Sequence, residues 1–182
     1  MYTGAVGDIQ LGELCARHCL SLQDKVGSRA IESGNYLRCY GLNLHYTTPL
    51  ITCQKGLLSG FQVGLEMGDL TSALFSVYQY LELCRASGKS LEVLESDYLT
   101  YVKQMKETHQ LQALEWSLVE YQGVLNLMGK SENTVILTGD VMDQHEVLST
   151  VEQTKNLTLR YLVRRKQMYL ATFLDEHEFG AD

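Results

Sequence analysis

Cys15, His18 and Cys19 stand at i, i+3 and i+4, the spacing by which one helix offers part of a zinc site. Completing that site would need ligands from elsewhere, such as Cys39 or Cys53, and the chain contains neither a CxxC pair nor an HExxH run. Cysteines that pack as small hydrophobes explain the same residues. A second constellation, Asp140, Asp143, His145 and Glu146, has donors for a cation or for acid-base work. It also reads as a helix start, with Asp143 as N-cap and its neighbours as solvated first-turn groups. Two Gly-Lys-Ser tripeptides, 88–90 and 129–131, invite a phosphate loop. A Walker A loop needs glycine five residues before the Gly-Lys pair, and those positions are Leu83 and Val124, both in helical pattern. Helix ends account for the tripeptides: glycine at the C-terminus, lysine near the negative end of the dipole, serine in the turn. With no Gly-x-Ser-x-Gly elbow and no Cys/His nucleophile signature, the chain is expected to be non-enzymatic, without cofactor or metal.

Fifteen basic and 22 acidic side chains leave a net charge of −7, which argues against the electrostatic footprint of a nucleic-acid binder. No apolar run approaches the roughly 18 residues that span a bilayer, and residues 1–8 lack the basic and apolar regions of a signal peptide. Five cysteines, an odd number without a closely spaced framework, read as reduced thiols in a cytoplasmic protein. Asn156-Leu157-Thr158 matches a glycosylation acceptor, but it falls in a helix-like segment of a chain with no export signal. Nucleic acid and membrane insertion are therefore not expected, and a protein partner is considered instead. Surface for it is sought at Arg160, Arg164 and Arg165 on the last helix and among the eleven tyrosines, with Tyr78, Tyr98 and Tyr101 foremost, since tyrosine joins apolar area to a polar tip.

These residues must be carried by helices, because the apolar positions recur at three and four rather than two, and a single proline serves 182 residues. Asp8 caps a first helix whose face carries Leu11, Leu14, Cys15, His18 and Cys19. A second helix is predicted over about 28–45. Thr48 as N-cap and Pro49 at the first helical position open a third, which ends at Gly68, where Asp69 caps the fourth. Helices over about 91–108 and 111–128 follow, then an irregular stretch over about 130–143 containing Val135-Ile136-Leu137, then one long helix over about 146–174. Gly56, Gly60 and Gly64 form a stripe on the third helix; each costs roughly 1 kcal/mol against alanine, a cost that close approach of another helix would offset.

An internal echo links Gly7-Asp8-Ile9 with Gly68-Asp69-Leu70, and Glu32-Ser33-Gly34-Asn35-Tyr36-Leu37 with Glu95-Ser96-Asp97-Tyr98-Leu99. The reading is an all-α, tetratricopeptide-like α-solenoid of about seven helices in antiparallel pairs, with repeat one over about 8–68 and repeat two over about 69–174. Residues 175–182 read as the start of a further repeat, so the chain is expected to be a fragment of a longer array.

Gly60-Phe61-Gln62-Val63-Gly64-Leu65-Glu66-Met67-Gly68-Asp69-Leu70, Tyr101-Val102-Lys103-Gln104-Met105-Lys106-Glu107, the run 122–131 from Gln122 to Ser131, and Leu137-Thr138-Gly139-Asp140 carry a resemblance. Over about residues 5–180 the chain resembles the tetratricopeptide-like helical region of large multidomain signalling kinases. In that family a Ser/Thr kinase domain and an AAA-type or STAND-type ATPase precede the helical region, and GAF and histidine-kinase domains often follow. The resemblance implies a helical-repeat relay or docking arm for signal transduction, with catalysis elsewhere in the polypeptide. Where the family commonly has tryptophan before the proline-led helix, this chain has His45-Tyr46-Thr47-Thr48-Pro49, and no catalytic residue carries over to any position. The rival reading is a small metal-binding protein or enzyme using Cys15/His18/Cys19 or Asp140/Asp143/His145.

Overall fold

Asp8 opens the first helix by accepting a hydrogen bond from the Leu11 N–H at 2.9 Å, which satisfies one of the donors a helix start leaves over. A computed structural model describes residues 7–176, and among them the regular elements are helical, with no strand. Helix α1 spans Ile9–Val26 and ends at Gly27, whose φ of 65° is the left-handed conformation that glycine adopts without strain. Then come a 3₁₀ turn at Arg29–Ile31, a short α2 at Glu32–Tyr36, a π-helical turn at Leu37–Gly41 and a 3₁₀ turn at Leu44–Tyr46. The longer helices are α3 (Leu50–Met67), α4 (Leu70–Ala86), α5 (Leu91–Glu107), α6 (Leu111–Leu127), α7 (Gln144–Thr154) and α8 (Leu157–Phe173).

Three boundaries differ from the sequence reading. The expected second helix is broken into the pieces just named, because changes of helical pitch preserve apolar spacing and so escape a periodicity argument. Pro49 is the N-cap itself, with φ −51° and ψ 133°; its carbonyl accepts from Thr52 N at 2.9 Å, so the helix starts one residue later than expected. The long terminal helix is two: Lys155 turns left-handed at φ 55°, and Asn156 caps α8 by accepting from Leu159 N at 3.1 Å. The glycosylation-like triplet therefore starts at this break. Val135-Ile136-Leu137 forms no strand; near it is one isolated bridge, Thr138 to Asp143. Of the expected further repeat at 175–182, residues from 177 on lie outside the described residues.

The chain divides into two compact units, one running up to Lys89 and including Glu107–Ala113, the other comprising Ser90–Lys106 and the chain from Leu114 onward. α3 and α4 pack on one another and both lie in the first unit. In the first unit successive segments run antiparallel. Ala16 and Gln23 of α1 face Cys39 and Asn35, Tyr40 and Ser33 face Gly56 and Gly64, and Gly64 and Gln54 face Ala73 and Leu83. Ala16, Cys39, Leu44, Cys53, Leu57 and Leu83 form one core cluster, with Cys19, Leu20 and Tyr40 packed on it. Each fully buried leucine there contributes roughly 2 kcal/mol of hydrophobic stabilisation.

In the second unit Tyr98 of α5 stacks on Tyr121 of α6, with ring centroids 5.4 Å apart and planes 6° apart. Val119, Leu137, Met142, Val151, Leu159, Leu162, Val163 and Leu170 form its core, so the irregular 130–143 stretch buries its apolar residues with α6, α7 and α8.

Candidate functional site

α1 presents an extended open apolar surface. Its inner face carries the small residues Gly12 and Ala16, with Gln23, and lets Cys39 approach until its thiol meets the Ala16 carbonyl at 3.6 Å. The outer face carries Leu11, Cys15, His18, Leu22 and Val26 at i, i+4, i+7, i+11 and i+15, all exposed, Val26 by 70%. The apolar face read from the sequence is thus turned outward apart from Cys19. The short side chains of Gly12 and Ala16 permit the closer helix approach, so they are buried while Leu11, Leu14 and Leu22 are left outside. With Ile31 and Asn35 the outer face frames a groove of about 490 Å³ lined by Cys15, Cys19, Leu22 and Val26.

A second face lies on α8, where Tyr161, Arg164, Arg165, Met168, Tyr169 and Thr172 line a concavity of about 460 Å³. Arg160 is exposed one turn earlier. Arg164 donates to Gln167 Oε1 at 3.1 Å, and Arg165 donates to the fully buried Glu120 at 2.5 Å. Glu120 also pairs with the ammonium of Lys166, itself buried, whose stem crosses Gly123 where a Cβ would stand 2.6 Å from Lys166 Cδ. Lys166 therefore serves the interior of the unit, while Arg160, Arg164 and the part-exposed Arg165 are the accessible basic groups of the expected patch. Among the tyrosines a correction is needed. Tyr78 and Tyr98 are buried and offer no surface to a partner, while Tyr101 is half-buried. At helical spacing tyrosine serves a core as readily as a groove, and the burial of α4 and α5 decides between them.

The glycine stripe of α3 lies beneath other segments. A Cβ at Gly56 would sit 2.2 Å from the Tyr40 ring, one at Gly60 2.9 Å from Tyr36 Cβ, and one at Gly64 2.6 Å from Ser33 Oγ and 2.7 Å from Ala73 Cβ. Ser33 donates to the Gly60 carbonyl at 2.8 Å, a buried bond that requires this approach. Asp69 caps α4 through Ser72 N at 3.1 Å, with the same three-residue reach as Asp8.

Neither constellation singled out for metal or acid-base chemistry gathers its donors. Among the described residues no three His, Cys, Asp or Glu side chains come together to hold a metal ion. His18 Nδ1 folds back on the Leu14 carbonyl at 2.8 Å. Asp143 caps α7, accepting from His145 N at 2.7 Å and Glu146 N at 3.1 Å, while Asp140 is exposed on the loop. At the two Gly-Lys-Ser tripeptides, Gly88 and Gly129 have φ of 81° and 71°. Lys89 N returns to the Cys84 carbonyl and Lys130 N to the Leu125 carbonyl, which are helix-terminating turns. Lys130 Nζ pairs with Glu95 at 2.6 Å.

The 130–143 loop hangs on residues whose joint role the sequence reading missed. Gln122 donates to Asn126 Oδ1 at 2.9 Å and to Ser131 Oγ at 2.9 Å. Asn126 donates from its Nδ2 toward the carbonyls of Asn133, Thr134 and Ile136 at 2.9–3.2 Å. Asn133 Oδ1 caps Val135 N and Ile136 N, and Gln144 Oε1 accepts from Leu137 N at 3.0 Å. Gly139 lies against Gln122, where a Cβ would meet Nε2 at 2.7 Å. The signal available in the sequence was polarity in the wrong place: Ser117, Glu120, Gln122 and Asn126 interrupt the apolar face of α6, and a buried polar group needs a partner.

Among the described residues the fold is all-helical, with adjacent helices packed on one another, an arrangement compatible with a bundle or a repeat. No helix among the described residues is long and apolar enough to cross a membrane. Set against protein-family models, curated proteins and solved structures, the chain matches none.

Proposed function

We propose that the chain is a non-catalytic, tetratricopeptide-like helical scaffold that docks protein partners or neighbouring domains in a cytoplasmic signal-transduction ATPase or kinase. The observation that carries this reading is the outer stripe of α1, a helix with apolar residues on its outward as well as its inward side. Open apolar surface of that kind marks a place where another protein surface packs. In stacked helix pairs each layer covers the face left by its neighbour, so an uncovered helix is where the next layer or a partner belongs. The α8 face, with Tyr161, Met168 and Phe173 exposed beside Arg160 and Arg164, supports the same reading with a basic rim. The kinase and ATPase context rests on the resemblance of residues 60–70, 101–107, 122–131 and 137–140.

The test uses the full chain as bait, comparing wild type with Leu22→Glu/Val26→Glu, exposed positions whose substitution leaves the inner face intact. The reading expects a kinase- or ATPase-containing protein to be retained by wild type and lost at least tenfold with the variant. Identical capture by both, or captured proteins without such domains, would overturn it.

A further inference from the structure

Two thiols on different elements meet beside the α1 groove. Cys39 lies in the π-helical turn Leu37–Gly41, almost fully buried, and its thiol points toward α1 at the Ala16 carbonyl. Cys19, three residues beyond Ala16 on α1, packs against the cluster that contains Cys39, so both thiols lie at the same turn of the helix. Cys19 is half-exposed and lines the groove, so a small molecule in that groove reaches one member of the pair and not the other. The remaining cysteines differ: Cys15 is on the outward stripe, and Cys53 and Cys84 are buried away from solvent.

We propose that Cys19 and Cys39 are a redox-sensitive dithiol that a low-molecular-weight disulfide, such as oxidised glutathione, converts to an internal disulfide. The Cys19 thiolate attacks one sulfur of the small disulfide, forming a mixed disulfide and releasing one small thiolate. Cys39 then gives its proton to solvent and attacks the Cys19 sulfur, forming the Cys19–Cys39 bond and releasing the second small thiolate. Two protein thiols lose two electrons and two protons, and one small disulfide gains them as two thiols. The order follows from the surroundings: burial and the neighbouring Cys19 push the Cys39 thiol up to about 12, so it stays protonated at neutral pH while the accessible Cys19 reacts first. The product ties α1 to the π-helical turn beneath the groove, whatever docks on the outer stripe.

The experiment treats the full wild-type chain with oxidised glutathione, alkylates remaining thiols and maps the links by digestion without reduction. Trypsin releases Cys19 on peptide 18–25 and Cys39 on peptide 39–55, which also carries Cys53; chymotrypsin, cutting between Tyr40 and Tyr46, separates those two. The expected result is a link from Cys19 to Cys39 that forms faster as pH rises, is reversed by dithiothreitol, and persists in Cys15→Ser. Glutathione retained on Cys19 with Cys39 alkylated, or a link from Cys19 to Cys53 or Cys15, would overturn the proposal.

Discussion

Replacing Gly64 by alanine tests the packing of α3 with opposite signs for the two possible environments. On an open helix face the change adds helix propensity and stabilises by about 1 kcal/mol. Here the new methyl group would stand 2.6 Å from Ser33 Oγ, 2.7 Å from Ala73 Cβ and 2.9 Å from the Asp69 carbonyl oxygen. The serine oxygen can rotate away only by giving up its bond to the Gly60 carbonyl, and the Asp69 carbonyl accepts from Ala73 N in the first turn of α4. Ala73 itself is fully buried and has no rotamer to change. Overpacking of this kind costs about 1–3 kcal/mol, and loss of the buried serine bond adds about 1 kcal/mol. Set against the propensity gain, the net expectation is destabilisation by about 1–3 kcal/mol. For a chain of this size that lowers the thermal midpoint by roughly 2–12 °C. Thermal and urea unfolding followed by circular dichroism measure it, with the exposed Gln62→Ala of the same helix as a control expected within about 0.5 kcal/mol. A Gly64→Ala midpoint at or above that of wild type would refute the close approach.

Glu120→Gln should destabilise by about 3 kcal/mol or more, because it leaves the buried Lys166 ammonium without its counter-charge; Glu120→Leu with Lys166→Met should cost less, as urea midpoints of the two variants will show. Asn126→Ala removes the donor shared by three loop carbonyls and should cost about 2 kcal/mol, with limited proteolysis moving into residues 131–143; an unchanged cleavage pattern would mean the loop is held by other bonds. His45 is held below the ordinary histidine value by burial, against a weaker opposing bond to the Tyr40 backbone. The folded state therefore favours the neutral ring, so this contribution is complete above about pH 6.5 and is lost as pH falls below it toward the lower folded-state value. The urea midpoint should drop between about pH 7 and pH 5, and His45→Asn should flatten that slope; equal slopes would place the acid sensitivity elsewhere.

The order of helices was legible because helix formation is largely local. Apolar spacing, Asp8 and Asp69 as caps, and Gly68, Gly88 and Gly129 as ends appear in the structure with left-handed glycines and the expected capping bonds. Where a helix changes pitch, at Leu37–Gly41, or pauses for two residues, at Lys155-Asn156, the apolar spacing continues across the change and the sequence pattern reads as uninterrupted. Site residues were harder. Tyr78, Tyr98 and Tyr101 share one chemistry, yet two are interior and one is half-buried. Arg164 and Arg165 are neighbours in the chain, yet one reaches a buried carboxylate and the other a neighbouring glutamine.

From local propensity and composition the sequence alone determined an all-helical chain, the residues that start and stop most of its helices, and the acidic balance of its surface. Only the tertiary structure decided which side of each helix is turned inward. On α1 it buried Gly12 and Ala16 and left Leu22 and Val26 to solvent, because the depth to which a neighbouring segment can approach depends on the shape of both surfaces. The same non-local packing brought Cys39 to α1 beside Cys19, and Glu120 to Lys166, pairs whose separation along the chain hides them from any periodic reading.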